Sequence, residues 1–408
     1  MTQPGIGNQK EEKLARRDWI VFPLLSLLTM FLLLISTELV ARARFSEWSE
    51  NEDNCFIHTL TTGVRGVPNC VFVKKGLETQ PVEYRFNNSG YRSDFQFGNK
   101  PPGTYRIVMV GSSFAFGSNV QNNQTFAALL PVDLAQRTRH SVELYNEGMG
   151  LATPRIVALR FSAVLPAEPD MVLWVLTPWD IGHSSSLPSV PGQPETAQQS
   201  PNTPLTSNGF LGKIRDRMKQ VLVTKLSVVG SIIRFVTFPK ARFMIKHDLL
   251  ESKSQYMKVA LMSGSENQFL RVDPGPAWQS DVEHFDIYAA DMARQANAAG
   301  VPLVVAFVPN RALAAMTSMV EWPAGYDPYK LDHEICSIVV SHGATCIDIL
   351  PGYREIPNPE QGYTPIDGHP NAHGDAIISH LLAEQLSSGL IPGLKSSVPP
   401  SNVADRGN

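Results

Sequence analysis

Two short stretches of this chain contain residue types, at suitable spacings, that could carry out nucleophilic catalysis. The first is Gly111-Ser112-Ser113, a turn of small residues that follows the apolar run Arg106 to Val110. A serine on a tight turn between a strand and a helix has an exposed hydroxyl near the partial positive charge of a helix N-terminus. Ser113 is therefore a candidate nucleophile, although the same pattern also occurs in α/β proteins that bind a phosphate or cap a helix.

The second stretch contains Asp367 and His369, which flank a glycine just before a predicted helix. A neutral imidazole can take the proton of a serine hydroxyl, and a carboxylate can hold that imidazole in the correct tautomer. One loop could present both groups to Ser113. In isolation, the same two residues are also typical of a turn former and a loop histidine.

We expect no metal and no cofactor from the sequence. His369, His373 and His380 do not form a convincing ligand set, because His380 lies seven residues beyond His373 in a predicted helix. The cysteines and histidines also lack the spacing of a zinc site.

A third stretch, Asn146 to Gly150, could hold a developing oxyanion. It follows an apolar run and contains Gly148 and Gly150. Backbone N–H groups in a glycine turn can donate hydrogen bonds to such a charge. The alternative is a tight turn into the next helix.

The elements that must position these residues alternate along the chain. Apolar β-branched runs predict five strands: Arg106–Val110, Val142–Asn146, Met171–Leu176, Leu303–Val308 and Thr345–Ile349. Amphipathic patterns predict five helices: Gln124–Arg139, Pro154–Leu165, Gln279–Ala299, Pro328–Ser341 and Ala372–Ser388. This alternation indicates a parallel sheet covered by helices on both faces. In such sheets the site lies beyond the carboxyl ends of the strands.

Three further segments flank or interrupt this pattern. Asn51 to Pro102 is turn-rich, has β-like pieces at Val71–Val73 and Val82–Phe86, and is interpreted as a lead-in that packs against the main domain. Ser184 to Asn208 is rich in Ser, Pro, Gln and Thr and is interpreted as a mobile loop. Phe210 to Leu249 has a basic amphipathic pattern, which favours a helical insertion that covers the site or, less well, lies on a membrane surface.

Composition alone excludes few classes of protein. The chain has 408 residues, a formal net charge of -3 and 43% apolar residues. It is long enough for one large domain or two ordinary ones. Nothing in this charge balance indicates a nucleic-acid partner, so we expect none.

An apolar segment from Trp19 to Val40 indicates a membrane anchor. About 33 Å of helix would form from it at ~1.5 Å per residue, enough to cross a bilayer core. Four basic residues before the segment favour a cytoplasmic N-terminus: Lys10, Lys13, Arg16 and Arg17. Arg42 and Arg44, which follow the segment, weaken that orientation. A cleaved signal peptide is the alternative, with a site near Ala41 to Ala43, but the segment exceeds the usual apolar core of a signal. The rest of the chain is exported in either case.

All four cysteines follow this apolar segment. In an oxidising compartment, Cys55 with Cys70 and Cys336 with Cys346 is the simplest of the three connectivities. Four unpaired buried thiols are the alternative.

The order of these blocks resembles the SGNH, or GDSL-like, hydrolase superfamily over about Asn87 to Leu390. The resemblance rests on four segments: the turn at Ser113, the glycine block after the second strand, the block Thr177-Pro178-Trp179-Asp180 after the third, and the terminal segment DGHPNAHG. It implies a three-layer α/β/α, flavodoxin-like sandwich. It also implies Ser113 as nucleophile, His369 as base and Asp367 as its orienting carboxylate, with oxyanion donors at Ser113 and at Gly150 or, less well, Gly148.

Three positions depart from the pattern of that superfamily. Ser112 stands where an aspartate is usual, and Trp179 stands where the oxyanion asparagine is expected. An indole N–H can donate one hydrogen bond, but its size and direction differ from those of a carboxamide. The terminal pair is Asp-x-His, whereas many members of the superfamily have Asp-x-x-His. Some membrane-anchored, polysaccharide-modifying relatives share the Asp-x-His spacing.

The sequence thus predicts an exported serine esterase or O-acyltransferase, anchored through residues 19–40 and facing the periplasm or the cell exterior. The substrate class implied is acylated envelope or extracellular polysaccharide, with acetyl as the acyl group. A catalytically impaired relative that binds glycan or scaffolds an assembly at the membrane is the alternative. The predicted organisation is a cytoplasmic tail (1–18), the anchor (19–40), the lead-in (41–102), the hydrolase-like domain (103–390) with its insertion at about 184–275, and a disordered tail (391–408).

Overall fold

The computed structural model describes residues 17–59, 63–186, 238–262 and 267–396. Most of the predicted loop at Ser184–Asn208, residues 210–237 of the predicted insertion, most of the N-terminal tail and the end of the C-terminal tail lie outside the described residues. The described chain divides into two compact units. One contains residues 17–46 and 238–246, and the other contains the remaining described residues.

The smaller unit contains helix α1, Asp18–Arg44. The stretch Trp19–Arg44 is long and apolar enough to span a membrane, with a mean hydropathy of 2.4 in its most apolar window, although a signal sequence would meet the same criteria. Near its end, the buried Glu38 accepts hydrogen bonds from Arg42 Nε and from the backbone N–H of Ala241, both at 2.8 Å. Glu38 therefore has its charge satisfied within this unit.

The larger unit begins with the lead-in, which forms five short antiparallel strands. They are β1 (Trp48–Glu50), β2 (Phe56–Thr59), β3 (Gly63–Gly66), β4 (Val71–Lys75) and β5 (Val82–Arg85). Strands β1, β4 and β5 make one sheet, and β2 pairs with β3. Only β4 and β5 coincide with the predicted β-like pieces.

The main sheet contains the five predicted strands within two residues at each end. They are β6 (Thr104–Gly111), β7 (Ser141–Asn146), β8 (Met171–Leu176), β9 (Leu303–Phe307) and β10 (Thr345–Asp348). All neighbours pair in parallel, in the order β10-β9-β8-β6-β7. The predicted α/β fold with a five-stranded parallel sheet is confirmed.

Eleven helices follow α1 in the described residues. They are α2 (Ser113–Phe116), α3 (Phe126–Thr138), α4 (Pro154–Arg160), α5 (Pro178–Ile181), α6 (Pro239–Glu251), α7 (Lys253–Met262), α8 (Pro276–Ala299), α9 (Arg311–Thr317), α10 (Lys330–Ser341), α11 (Leu350–Glu355) and α12 (Ala372–Gln385). The five predicted helices correspond to α3, α4, α8, α10 and α12. Helix α5 lies in the block after the third strand, and α6 and α7 lie in the predicted insertion; these three were not predicted as separate helices.

Helices cover both faces of the sheet because its central strands are apolar on both sides. Every residue of β8 and β9 is buried. On one face, Trp174 packs with Phe285 of α8, and on the other, Leu173 shares a core with Phe126 of α3 and Leu382 of α12. Alternate residues of a strand point to opposite faces, so this pattern produces three layers.

Both predicted disulfides are present. Cys55 is bonded to Cys70 in the lead-in, and Cys336 of α10 is bonded to Cys346 of β10. The alternative of four unpaired thiols is wrong. Each bond closes a short loop, of sequence separation 15 and 10 respectively.

Candidate active site

The Ser113 turn forms where β6 ends and α2 begins. Gly111 is required there, because a Cβ at this position would lie 2.6 Å from the carbonyl oxygen of Val175 and 2.9 Å from Ala115 Cβ. Any other residue would push β6 away from β8. Ser113 is the first residue of α2, where backbone N–H groups have no partner within the helix.

The structure brings the three residues predicted as nucleophile, base and carboxylate into one chain of hydrogen bonds. Ser113 Oγ lies 2.8 Å from His369 Nε2, and His369 Nδ1 lies 2.8 Å from Asp367 Oδ2. Since a carboxylate only accepts, Nδ1 carries the proton toward Asp367, and Nε2 is left to accept from the Ser113 hydroxyl. This is the order of contacts that a serine nucleophile needs.

The loop that carries Asp367 and His369 is fastened at several points. The backbone N–H of Thr364 donates to the carbonyl of His369 at 2.9 Å, and that of Gly368 donates to the carbonyl of Thr364 at 3.2 Å. Gly368 has a φ of +76°, a conformation that glycine adopts readily. Buried Arg311 donates from Nη1 to the carbonyl of Pro365 at 2.6 Å. These contacts limit how far His369 can move from Ser113.

Asp367 is held in its charged form by its neighbours. Partial burial works against the charge, but the hydrogen bond and charge of His369 and the hydrogen bond from Asn119 outweigh burial and lower the pKa of Asp367. Asn119 Nδ2 donates to Asp367 Oδ2 at 2.5 Å. From the lead-in, Glu78 accepts the backbone N–H groups of Asp367 at 2.7 Å and of Ile366 at 2.9 Å. A charged Asp367 orients His369 and stabilises the imidazolium form.

Arg92 of the lead-in fixes the segment that carries Asn119. This buried guanidinium donates to the carbonyls of Phe116, Gly117 and Val120. Its carbon Cζ also lies 4.3 Å from the ring centre of Tyr84. Burial lowers the pKa of Arg92 to about 10, so it stays charged at neutral pH. Arg92, in the turn-rich lead-in, is thus part of the support for the site.

Ser112 and Asp180 connect the first block to the third. Asp180 accepts from the backbone N–H and the hydroxyl of Thr177, each at 2.7 Å, and also from Ser112. Complete burial raises the pKa of Asp180 to about 6, although these hydrogen bonds oppose the shift. The departure at Ser112 therefore has a local function: its hydroxyl satisfies a buried carboxylate.

The two glycines predicted as oxyanion donors differ in their surroundings. The N–H of Gly148 already donates to Asn146 Oδ1 at 2.9 Å, and a Cβ at Gly148 would lie 2.5 Å from the backbone of Ala115 and Phe116. Gly148 thus packs against α2 and is a poor donor to substrate. Gly150 faces open space, and within the described residues its N–H and that of Ser113 donate to no protein group.

Trp179 lies in α5, just after β8, which pairs with β6 beside the Ser113 turn. Its half-buried ring stacks on His183 with ring centres 4.1 Å apart, and His183 Nδ1 donates to the carbonyl of Trp179 at 2.7 Å. The indole N–H donates to no group in the described part of the chain. Its role as an oxyanion donor stays a prediction.

Sequence reasoning missed three residues that support the site, namely Glu78, Arg92 and Asn119, and it missed the contact that Asn146 makes with α2. Each acts on a segment far from it in the chain, so no local motif indicates it. Asn119 has one possible signal, because it adopts a φ of +71°, and asparagine tolerates that conformation better than most residues. Asn146 Nδ2 donates to the carbonyl of Ala115 at 2.9 Å, which ties β7 to α2.

Fold and site together define a class. A five-stranded parallel sheet covered on both faces carries, beyond the carboxyl ends of its strands, a serine, a histidine and an aspartate in hydrogen-bonded sequence. These residues and this fold are the ones that the resemblance of the sequence to the SGNH-like superfamily implies.

Among known proteins, no family model matches the chain and no curated sequence matches it. Solved structures do match the chain, at low identity, and they include three proteins. TesA has 13% identity and a TM-score of 0.35, over 69% of this chain and 98% of its own. A putative acylhydrolase from Bacteroides fragilis has 10% identity and a TM-score of 0.35, over 72% and 92%. An Axe2 mutant, an acetyl-xylooligosaccharide esterase from Geobacillus, has 10% identity and a TM-score of 0.37, over 69% and 94%.

Proposed function

We propose that this protein is a serine esterase or O-acyltransferase acting on ester-linked acyl groups. The observation that carries the proposal is the continuous chain of contacts from Ser113 Oγ through the imidazole of His369 to Asp367, with both distances at 2.8 Å. A serine, a histidine and a carboxylate linked in this way can form and break an acyl ester without a cofactor.

In the proposed reaction, Ser113 Oγ attacks the acyl carbonyl while its proton passes to His369 Nε2. The resulting oxyanion accepts hydrogen bonds from the backbone N–H groups of Ser113 and Gly150. His369 then gives the proton to the leaving alcohol, which departs as the acyl-enzyme forms. Water or a sugar hydroxyl next attacks the acyl-enzyme, transferring its own proton to His369, and Ser113 regains its hydrogen. Asp367 orients His369 and stabilises its positive charge throughout.

We place this site outside the cytoplasm and on the membrane. Helix α1 has the length and apolar composition of an anchor. The two disulfides fit an oxidising compartment. An exported, tethered enzyme of this kind suits acetylated envelope or extracellular polysaccharide, with the sugar hydroxyl as either leaving group or acceptor.

The test is ester turnover by the full chain in detergent, using 4-nitrophenyl acetate and an acetylated polysaccharide. Ser113→Ala should lower kcat by on the order of 10⁴-fold. Ser388→Ala, at an exposed serine three residues after α12, is the matched control and should keep the rate of the parent. A fluorophosphonate should label the parent and the control, but not Ser113→Ala. Equal rates for the parent and Ser113→Ala, or labelling that survives this change, would contradict the proposal.

A non-catalytic, glycan-binding protein is the second candidate, and Trp179 favours it. A half-exposed indole stands where the expected asparagine would help to hold an oxyanion. Aromatic faces are also common binding surfaces for sugar rings. Under this candidate, the chain binds a polysaccharide and Trp179→Ala abolishes binding, while no acyl-enzyme forms at Ser113. Under the esterase proposal, acyl-enzyme is trapped at Ser113 when turnover of an acetyl ester is quenched with acid.

A further inference from the structure

Three potential metal-binding side chains come together at an edge of the main sheet, apart from the Ser113 turn. Asp332 and His333 lie in the first turn of α10, and Asp348 ends the edge strand β10. One ligand atom of each lies within 4.8 Å of those of the other two. Strands β8 and β9 separate β10 from β6 in the sheet, so this cluster is not part of the site proposed above.

Asp332 is a buried carboxyl group whose side-chain contact within the described residues is with a second carboxyl group. Its side chain is fully buried, with 0% exposure, and no N–H or hydroxyl group there donates to either oxygen, which leaves Asp348 as its neighbour. The nearest cation on the same helix, Lys330, contacts Glu334 at 3.1 Å instead. A buried carboxylate without a donor or counter-charge is costly. It faces a second carboxylate, Asp348, which adds to that cost.

A proton shared between the two carboxylates or a bound cation could neutralise this pair. A shared proton would give the adjacent imidazole no function, whereas a cation would use all three groups. Two carboxylate oxygens and one imidazole nitrogen form a donor set suited to zinc and similar first-row ions. We propose that Asp332, His333 and Asp348 bind a divalent transition-metal ion such as Zn²⁺.

The two elements that carry the ligands are held in fixed register. The disulfide between Cys336 and Cys346 joins α10 to β10 with their Cα atoms 5.3 Å apart. Cys336 is one helical turn after Asp332, and Cys346 is two residues before Asp348, so the bond lies beside the cluster. Asp348 Oδ1 also accepts the backbone N–H of Leu350 at 2.9 Å. Such outer contacts orient metal ligands and strengthen binding.

His333 is the ligand through which an ion could reach the cluster from solvent, and its ring could move to complete the coordination. Asp332 is buried and Asp348 is half-buried, but His333 is exposed. Ligand atoms on a tetrahedral zinc lie roughly 3.3 Å apart, given Zn–N and Zn–O bonds of about 2.0 Å. Rotation of the exposed imidazole can close most of the remaining gap, with water completing the coordination. The ion would fasten the first turn of α10 to the end of β10.

The experiment measures zinc in the full chain, purified in detergent, stripped with EDTA and then dialysed against a defined free Zn²⁺ concentration. We compare the parent with Asp332→Asn, His333→Ala and His342→Ala. His342 is the matched control, because it is also near an aspartate, with Nε2 2.6 Å from Asp286 Oδ1, but has no third ligand among the described residues. Metal content, the Zn²⁺ titration curve and the thermal midpoint are recorded for each.

The parent and His342→Ala should retain one Zn²⁺ per chain and melt at a higher temperature when Zn²⁺ is present. His333→Ala should weaken Zn²⁺ binding by about tenfold or more. Asp332→Asn should bind none at the same free Zn²⁺. Because His333 is exposed, its loss should not unfold the protein, and ester turnover without metal reports folding of every variant. No retained zinc in the folded parent, as a shared proton predicts, or equal retention by His333→Ala, would overturn the proposal.

Discussion

Asp367, which orients His369, accepts one side-chain hydrogen bond from outside their loop. Asn119 Nδ2 donates to the same oxygen of Asp367 that accepts from His369. This donor favours the ionised carboxylate and helps to lower the pKa of Asp367. Asn119 is therefore a positioning residue, and its loss should change the pH dependence as well as the rate.

We expect Asn119→Ala to lower kcat/KM by about tenfold, the usual worth of a hydrogen bond to a charged group. Without this donor the pKa of Asp367 rises, so Asp367 loses its charge at a higher pH than in the parent, and the rate near pH 4 should fall further than the rate at neutral pH. The measurement is kcat/KM for an acetyl ester between pH 4 and 9. Asn88→Ala, at an exposed position of the lead-in, is the control. A uniform loss of rate with an unmoved acidic limb would contradict this role for Asn119.

Ser112 and Asp180 allow a second prediction at the residue scale. Since the Ser112 hydroxyl stabilises the charged form of Asp180, Ser112→Ala should raise the pKa of Asp180 further above about 6. The free energy of unfolding should fall by about 1 to 2 kcal/mol at pH 8, where Asp180 is ionised. At pH 5 the carboxyl is already protonated, and the loss should be smaller. Denaturant unfolding at both pH values tests this, and a larger loss at pH 5 would refute it.

The sequence indicated the three residues that the structure brings into hydrogen-bond contact, but not the residues that support them. Ser113, Asp367 and His369 stand in short segments whose local pattern indicates their chemistry. The contacts of Asn119 with Asp367 and of Glu78 with the same loop join positions 248 and 289 residues apart. Such contacts depend on the tertiary fold, and no spacing along the chain could predict them.

At the scale of elements, the lead-in is part of the support of the candidate site and not only a connection to α1. Arg92 fixes the segment after α2, and Glu78 fixes the loop between Thr364 and His369. The side chain of Glu78 is nearly fully buried, and His247 Nε2 lies 3.7 Å from its Oε1. A buried carboxylate that accepts two backbone N–H groups of the catalytic loop should restrict its motion.

Glu78→Ala should therefore lower kcat by on the order of 10- to 100-fold with a smaller change in KM, because a displaced loop moves His369 relative to Ser113. Glu78→Gln keeps an acceptor oxygen and should recover part of the rate. We measure kcat and KM by steady-state kinetics, and the thermal midpoint, for both variants. Glu83→Ala, at a half-exposed carboxylate of β5, is the control. If Glu78→Ala and Glu78→Gln lose rate only in proportion to unfolded protein, Glu78 does not position the loop.

The main sheet was predictable because its strands are short, apolar and β-branched, and periodicity alone distinguishes them from the helices between them. The lead-in strands β1, β2 and β3 were not predicted. They are three or four residues long and partly exposed, and they form through pairing with partners such as Lys75 and Gly66. A strand stabilised mainly by its partner leaves little pattern in its own residues. The proposed metal cluster was missed for a related reason, since its ligands are divided between α10 and β10.

At the scale of the whole molecule, three buried carboxyl groups should make the fold more stable in mild acid than in mild base. Burial raises the pKa of Glu147 to about 7, of Asp180 to about 6 and of Asp375 to about 7. In the unfolded chain these groups lose their protons near pH 4. Between about pH 4 and 7, the folded state therefore binds more protons than the unfolded state.

Stability must then fall as pH rises through that window, because it decreases wherever the unfolded state binds fewer protons. Asp367 acts in the opposite sense, since its pKa is lowered, but its contribution is lost only as pH falls below about 4. We expect the free energy of unfolding, with both disulfides intact, to be higher at pH 5 than at pH 8. Asp375→Asn removes one of the three groups and should flatten this slope, whereas Asp248→Asn, at an exposed carboxylate, should not. Denaturant unfolding at half-unit pH steps measures the slope, and stability that rises from pH 5 to pH 8 would show that these carboxyl groups are ionised in the fold.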